Sequence, residues 1–139
     1  EAYGEFQDNI KKMVQAARNK KANPVSITSV ERRNFNNQGE LQKGTHRIYA
    51  EAMIQLGETL KVPVIDLNHL SHQLIESVGE ERSKDWFMHL EKNRYPYYPE
   101  GLSDNTHLKP EGAVMFGSLI AQELDRLGGV YQELLCVQE

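Results

Sequence analysis

The chain has 139 residues, of which 39% are hydrophobic and 26% charged, with a formal net charge of −4 and a sequence pI near 5.8. That is enough for one domain with a real core, and the acidic balance argues against a general nucleic-acid or membrane-surface binder. A single cysteine, Cys136, excludes an internal disulfide framework and reads as a buried or tail thiol. No apolar run approaches the ~18 residues needed to span a bilayer, no secretory leader pattern opens the chain, and the compartment is not readable.

In chain order, Tyr3, Phe6, Ile10, Met13, Val14 and Ala17 recur at helical spacing. Asn23-Pro24 ends that helix and introduces Val25 to Val30, rich in β-branched residues, as a strand. A polar loop at 34–39 leads to a second helix through Tyr49, Ala52, Met53, Leu56 and Leu60. Val62 to Leu67 predicts a second strand, and helices of about a dozen residues between strands predict a parallel, right-handed connection. Leu67, Leu70, Leu74, Ile75 and Val78 predict a third helix, and Ser83 to Leu90 a shorter fourth. After a Pro/Tyr-rich loop, Pro110 opens a last helix with Ala113, Phe116, Ile120, Leu124 and Leu127 on one face, stopped by Gly128-Gly129. Residues 128–139 form a tail, and the chain reads as one partial domain over 1–139 without repeat or linker.

The chemistry concentrates in Ser103-Asp104-Asn105-Thr106-His107, ahead of Pro110. A carboxylate three residues before a histidine can accept from imidazole Nδ1–H, fix the tautomer and leave Nε2 to take a proton from a nucleophile. The plain alternative is a surface turn whose polar groups lead into a helix.

Three further stretches, Arg32-Arg33-Asn34-Phe35, Val62 to Leu67 and Tyr95-Pro96-Tyr97-Tyr98-Pro99-Glu100-Gly101, stand with this one in order and spacing between Tyr3 and Leu127. Together they resemble the rhamnogalacturonan acetylesterase-like branch of the SGNH/GDSL-type hydrolases, with Asp104 and His107 at the positions of that family's last block. Leu108, usually aromatic in this branch, is a small departure. The resemblance implies an α/β fold, the C-terminal half of a three-layer, flavodoxin-like doubly wound parallel sheet. It also implies Asp104 as orienting acid and His107 as general base in ester hydrolysis on acetylated pectic polysaccharide, with no cofactor. The family's GDS, glycine and asparagine blocks are absent. No serine substitutes for the nucleophile: Ser26 and Ser29 fall in a strand, Ser71, Ser77 and Ser118 in helices, and Ser103 abuts Asp104. The chain is therefore expected to be inactive without a serine-bearing half. The alternative is a noncatalytic remnant or self-associating binding module.

Arg32 and Arg33 follow the carboxyl end of the first strand, where a guanidinium can engage a uronate; the competing reading has one solvated and the other bonded to loop carbonyls. Tyr97 and Tyr98, with Tyr95, can present rings to a sugar, although packing of at least two of the three on the domain is the preferred reading. Asp66, His69 and His72 share one side of a helix, but the spacing lacks a further ligand and no metal site is assigned. His46 and His89 have no identifiable partner. The outer edge of strand 25–30 is unpaired, so a homodimer or an N-terminal partner half is expected there.

Overall fold

A computed structural model describes residues 1–135; Cys136 and the end of the predicted tail lie outside the described residues. Helices and short strands alternate as expected of an α/β chain. A turn at Ala2–Phe6, broken at Tyr3 and Gly4, leads into α1 (Gln7–Asn19), followed by β1 (Ser26–Ile27), α2 (Arg47–Leu60), β2 (Val64–Ile65) and α3 (Leu67–Ser83). Then come β3 (Phe87–Leu90), β4 (Leu102–Leu108), α4 (Pro110–Leu127) and the short α5 (Gly129–Gln132).

β1 and β2 pair in parallel, Ser26 opposite Val64 and Ile27 opposite Ile65. Both are shorter than the β-branched runs predicted: Leu67, which the sequence reading places both at the end of the strand and in the third helix, begins α3, because the Asp66 carboxylate accepts from the His69 N–H (3.2 Å) and caps the helix. β3 and β4 form a separate antiparallel pair.

The largest departure from expectation is at Ser83–Leu90, which is not a helix. α3 is interrupted at Gly79, whose φ of 82° suits glycine. After Ser83 a single tight turn, Lys84–Trp86, gives way to β3, and Phe87 enters the core fully buried. The run Trp86-Phe87-Met88 is aromatic-rich and too short for periodicity to separate strand from helix. Packing decides it: Phe87 meets Leu41, Ile75 and Phe116, with Trp86 edge-on to Phe116 at a centroid distance of 5.7 Å.

α4 matches its predicted bounds, with Pro110 in its first turn and Gly128 after its end. Of the expected inward face Phe116 is buried and Ile120 and Leu124 are half-buried, but Ala113 and Leu127 are exposed and Gly112 takes a buried place beside Phe116. Gly112 passes so close to the Lys84–Trp86 turn that a Cβ there would collide with the Trp86 carbonyl oxygen and lie 2.9 Å from Trp86 Cβ. The same carbonyl accepts from the Lys109 N–H at 3.0 Å. Gly112→Ala is expected to destabilise the chain by about 1–3 kcal/mol through forced displacement of α4. A urea midpoint unchanged from wild type would show that this contact relaxes freely.

Candidate active site

Asp104 and His107 sit within β4, where the ladder is interrupted. Phe87 pairs with Leu108 and His89 with Ser103, so the four residues 104–107 face Met88 alone. This bulge ejects the Asp-Asn-Thr-His segment from the sheet while both flanks stay paired. Inside it, Asp104 Oδ1 accepts from the N–H groups of Thr106 (2.7 Å) and His107 (2.9 Å), a turn that suits a short acidic side chain. The other oxygen, Oδ2, lies 2.7 Å from His107 Nδ1. The Asp104 side chain is 24% exposed and that of His107 77%.

These bonds favour the ionised acid. The His107 backbone N–H contributes most, followed by its ring, and they hold the Asp104 pKa at about 2, against 3.8 ordinarily. Since the folded-state value is the lower one, the stability this carboxylate contributes is present above about pH 4 and is lost as pH falls toward 2. The carboxyl resonance of Asp104 is expected to titrate with a midpoint near 2; a midpoint at 3.8 in the folded chain would mean that the turn's hydrogen bonds are absent in solution.

Asn105, between the two, anchors the bulge to the loop after β1. Its carbonyl accepts from the Arg33 N–H (3.0 Å), and its Oδ1 accepts from Arg33 Nη1 (3.0 Å). His89, assigned no partner from sequence, has Nε2 2.8 Å from the same Oδ1 and Nδ1 3.4 Å from Ser103 Oγ. Arg33 is 3% exposed. Its Nε donates to Ser83 Oγ (2.9 Å), its Nη2 donates to the Glu80 carbonyl, and its guanidinium lies 5.4 Å from the Phe35 ring centroid. Burial draws its pKa below the usual arginine value, opposed by nearby Glu80 and Glu81, yet a guanidinium stays protonated at working pH. Arg32 is half-buried, and its Nε has no partner among the described residues.

The tyrosines differ from expectation. The sequence predicts packing of at least two, but all three are exposed, Tyr97 at 93%. Tyr95 and Tyr98 bridge across their turn and line a groove with Met88, Leu90 and Pro110. Ser71 and Ser83 are buried and bonded to the backbone, and among the described residues no serine hydroxyl hydrogen-bonds to His107. No group of three metal-ligating side chains occurs among the described residues; Asp66 is engaged as the α3 cap and by Thr28 Oγ1 (3.0 Å).

No family model matches the chain. It is similar to rhamnogalacturonan acetylesterase RhgT of Bacillus subtilis, with 40% identity over 126 residues, 91% of this chain and 54% of that protein. It is also similar to the protein named "Probable rhamnogalacturonan acetylesterase YesY" of the same organism, with 30% identity over 128 residues, 92% of this chain and 54% of the relative. The chain thus spans about half the length of the curated relatives it matches. The crystal structure of Bacillus subtilis protein YxiM matches 92% of this chain and 32% of its own, at a TM-score of 0.72 and 26% identity. Over nine-tenths of its length the chain is thus similar in sequence to part of the rhamnogalacturonan acetylesterases, and its mixed helix and strand architecture with a small parallel sheet is consistent with the C-terminal part of an SGNH-type α/β hydrolase fold.

Proposed function

We propose that the chain supplies the acid and base of a Ser-His-Asp triad for removing acetyl groups from a pectic carbohydrate, and that the serine comes from polypeptide outside this sequence. The observation that carries this reading is the 2.7 Å contact between Asp104 Oδ2 and His107 Nδ1 on a solvent-facing bulge. With Nδ1–H held by the carboxylate, Nε2 is the basic nitrogen. It takes the serine proton as the serine oxygen attacks the acetyl carbonyl, and returns it to the departing sugar oxygen. It then takes a proton from the water that hydrolyses the acetyl-serine, releasing acetate and regenerating the serine. Asp104 stabilises the imidazolium formed in each half-reaction.

Arg33 is proposed as a positioning residue, because its guanidinium is already held by Ser83, Asn105 and Glu80. Arg32, Tyr97 and Tyr98 remain candidates for touching the polysaccharide, and the exposure of both rings supports that part. Among the described strands β1 pairs only with β2, and Ile27 is 37% exposed, which favours completion of that edge by a serine-bearing segment or a second copy.

The test is hydrolysis of p-nitrophenyl acetate by the purified chain beside an Asp104→Ala/His107→Ala double variant. Equal background rates are expected. Hydrolysis by the wild-type chain that vanishes in the double variant would reveal a nucleophile within it and overturn the need for another segment.

A further inference from the structure

The ejected segment of β4 is gripped from two sides, by Arg33 in the loop after β1 and by His89 in β3. The contact with Arg33 fixes how the Asn105 amide is turned. A guanidinium only donates, so the Asn105 atom 3.0 Å from Arg33 Nη1 is the oxygen. His89 Nε2 lies 2.8 Å from the same oxygen, and an amide oxygen only accepts, so Nε2 carries a proton. In the neutral ring Nδ1 is then the acceptor, and the Ser103 hydroxyl, 3.4 Å away, is the donor that faces it.

Ser103 and Asn105 are the two neighbours of Asp104 in the chain. His89 therefore straddles the acid, with one ring nitrogen toward the last paired residue of the ladder and the other on the ejected segment. Its N–H and that of Arg33 fill both lone pairs of Asn105 Oδ1. The Asn105 carbonyl, which accepts from the Arg33 N–H, belongs to the same planar peptide as the Thr106 N–H, and that N–H donates to Asp104 Oδ1 at 2.7 Å. The placing of Asn105 is thus passed to the Asp104 carboxylate and, through Oδ2, to the His107 ring. We propose that His89 is a positioning residue for the Asp104/His107 pair, its Nε2–H holding Asn105 so that Asp104 presents one oxygen to the turn and the other to the ring. A ring that only filled the face of the sheet would need neither nitrogen. The consequence for turnover rests on the acid–base reading above; the positioning of the pair does not.

The test is NMR of the ¹⁵N-labelled chain at neutral to mildly alkaline pH, following hydrogen exchange at the Thr106 and His107 backbone amides and the ring ¹⁵N shifts of His107. The wild-type ring is expected as a single tautomer with its proton on Nδ1. His89→Phe keeps the bulk of the ring without its nitrogens; it is expected to speed exchange at both amides about five- to tenfold and to mix the two His107 tautomers. His89→Gln returns a donor at the place of Nε2 and is expected to restore both readings. Should His89→Phe fold poorly, His89→Asn carries the test, because its amide stands in for Nδ1, falls short of Asn105 and is expected to have the same effect. Wild-type readings in His89→Phe or His89→Asn, or a His89→Gln chain that behaves like His89→Phe, would overturn the proposal. In a polypeptide that also bears the serine, His89→Phe is expected to lower kcat about 10–100-fold at unchanged KM, with His89→Gln recovering most of the loss. Turnover undiminished by His107→Ala would instead sink the esterase reading and leave the amide and tautomer results standing.

Discussion

His107→Ala, in a polypeptide that joins this chain to a serine nucleophile, is expected to lower kcat by a factor on the order of 10⁵–10⁶, with little change in KM. The magnitude follows from the double duty proposed for the imidazole, in which the same Nε2 takes the serine proton and returns it to the sugar oxygen. Asp104→Asn is expected to cost less, on the order of 10⁴, because the ring remains but loses its orienting carboxylate. The geometry makes the two effects non-additive: one Asp104 oxygen shapes the backbone turn and the other holds the ring, so the double variant should be no slower than His107→Ala alone. A reduction of less than about tenfold for His107→Ala would remove this residue from the role of general base.

Arg33→Ala is expected to destabilise the fold by about 3–5 kcal/mol, although the residue belongs to no regular element. Its guanidinium satisfies Ser83 Oγ, Asn105 Oδ1 and the Glu80 carbonyl simultaneously from a position 3% exposed to solvent. Truncation takes the donor from Ser83 Oγ, leaves Asn105 Oδ1 to His89 and the Glu80 carbonyl to Ser83 Oγ, and opens a gap beside Phe35. Arg33→Lys is expected to recover only a minor part, because an ammonium on a flexible stem does not reproduce a planar fork directed at three separated partners. Denaturant midpoints at constant m decide it, and a loss below about 1 kcal/mol for Arg33→Ala would show that water replaces these bonds. The side-chain half of the Asn105 anchor is lost in the same variant while the Arg33 N–H bond to the Asn105 carbonyl stays, so the His107 ring should become more mobile even where the chain remains folded.

Long elements with clear ends were legible in the sequence. α4 runs from Pro110 to Leu127 as read from its proline, apolar stripe and terminal glycines, and α2 ends at Leu60 as expected. The Asp104/His107 pair was legible because both members and the turn joining them are local. What escaped depended on contacts distant in sequence. Arg33 meets its side-chain partners across separations of 47 to 72 residues, so nothing near it in the chain announces that its charge is consumed internally. The His89 contact with Asn105 likewise joins one strand to a segment ejected from the next. At Ser83–Leu90, local apolar spacing was ambiguous, and the burial of Phe87 against Phe116 and Ile75 selects the strand.

The interrupted ladder between β3 and β4 also makes chain length a variable for the geometry of the Asp104/His107 pair. Pairing of Leu108 with Phe87 and of Ser103 with His89 clamps the ejected segment at both ends, so its four residues form a loop of fixed circumference. Removing one would oblige a flank to slip, and a one-residue slip turns every side chain on that strand to the opposite face. Phe87 or Leu108 would then leave the interior. Insertions and deletions at 104–107 should therefore be punished more severely than substitutions there. The segment behaves as a cassette, and a host hairpin with the same two pairings is the natural place to graft it.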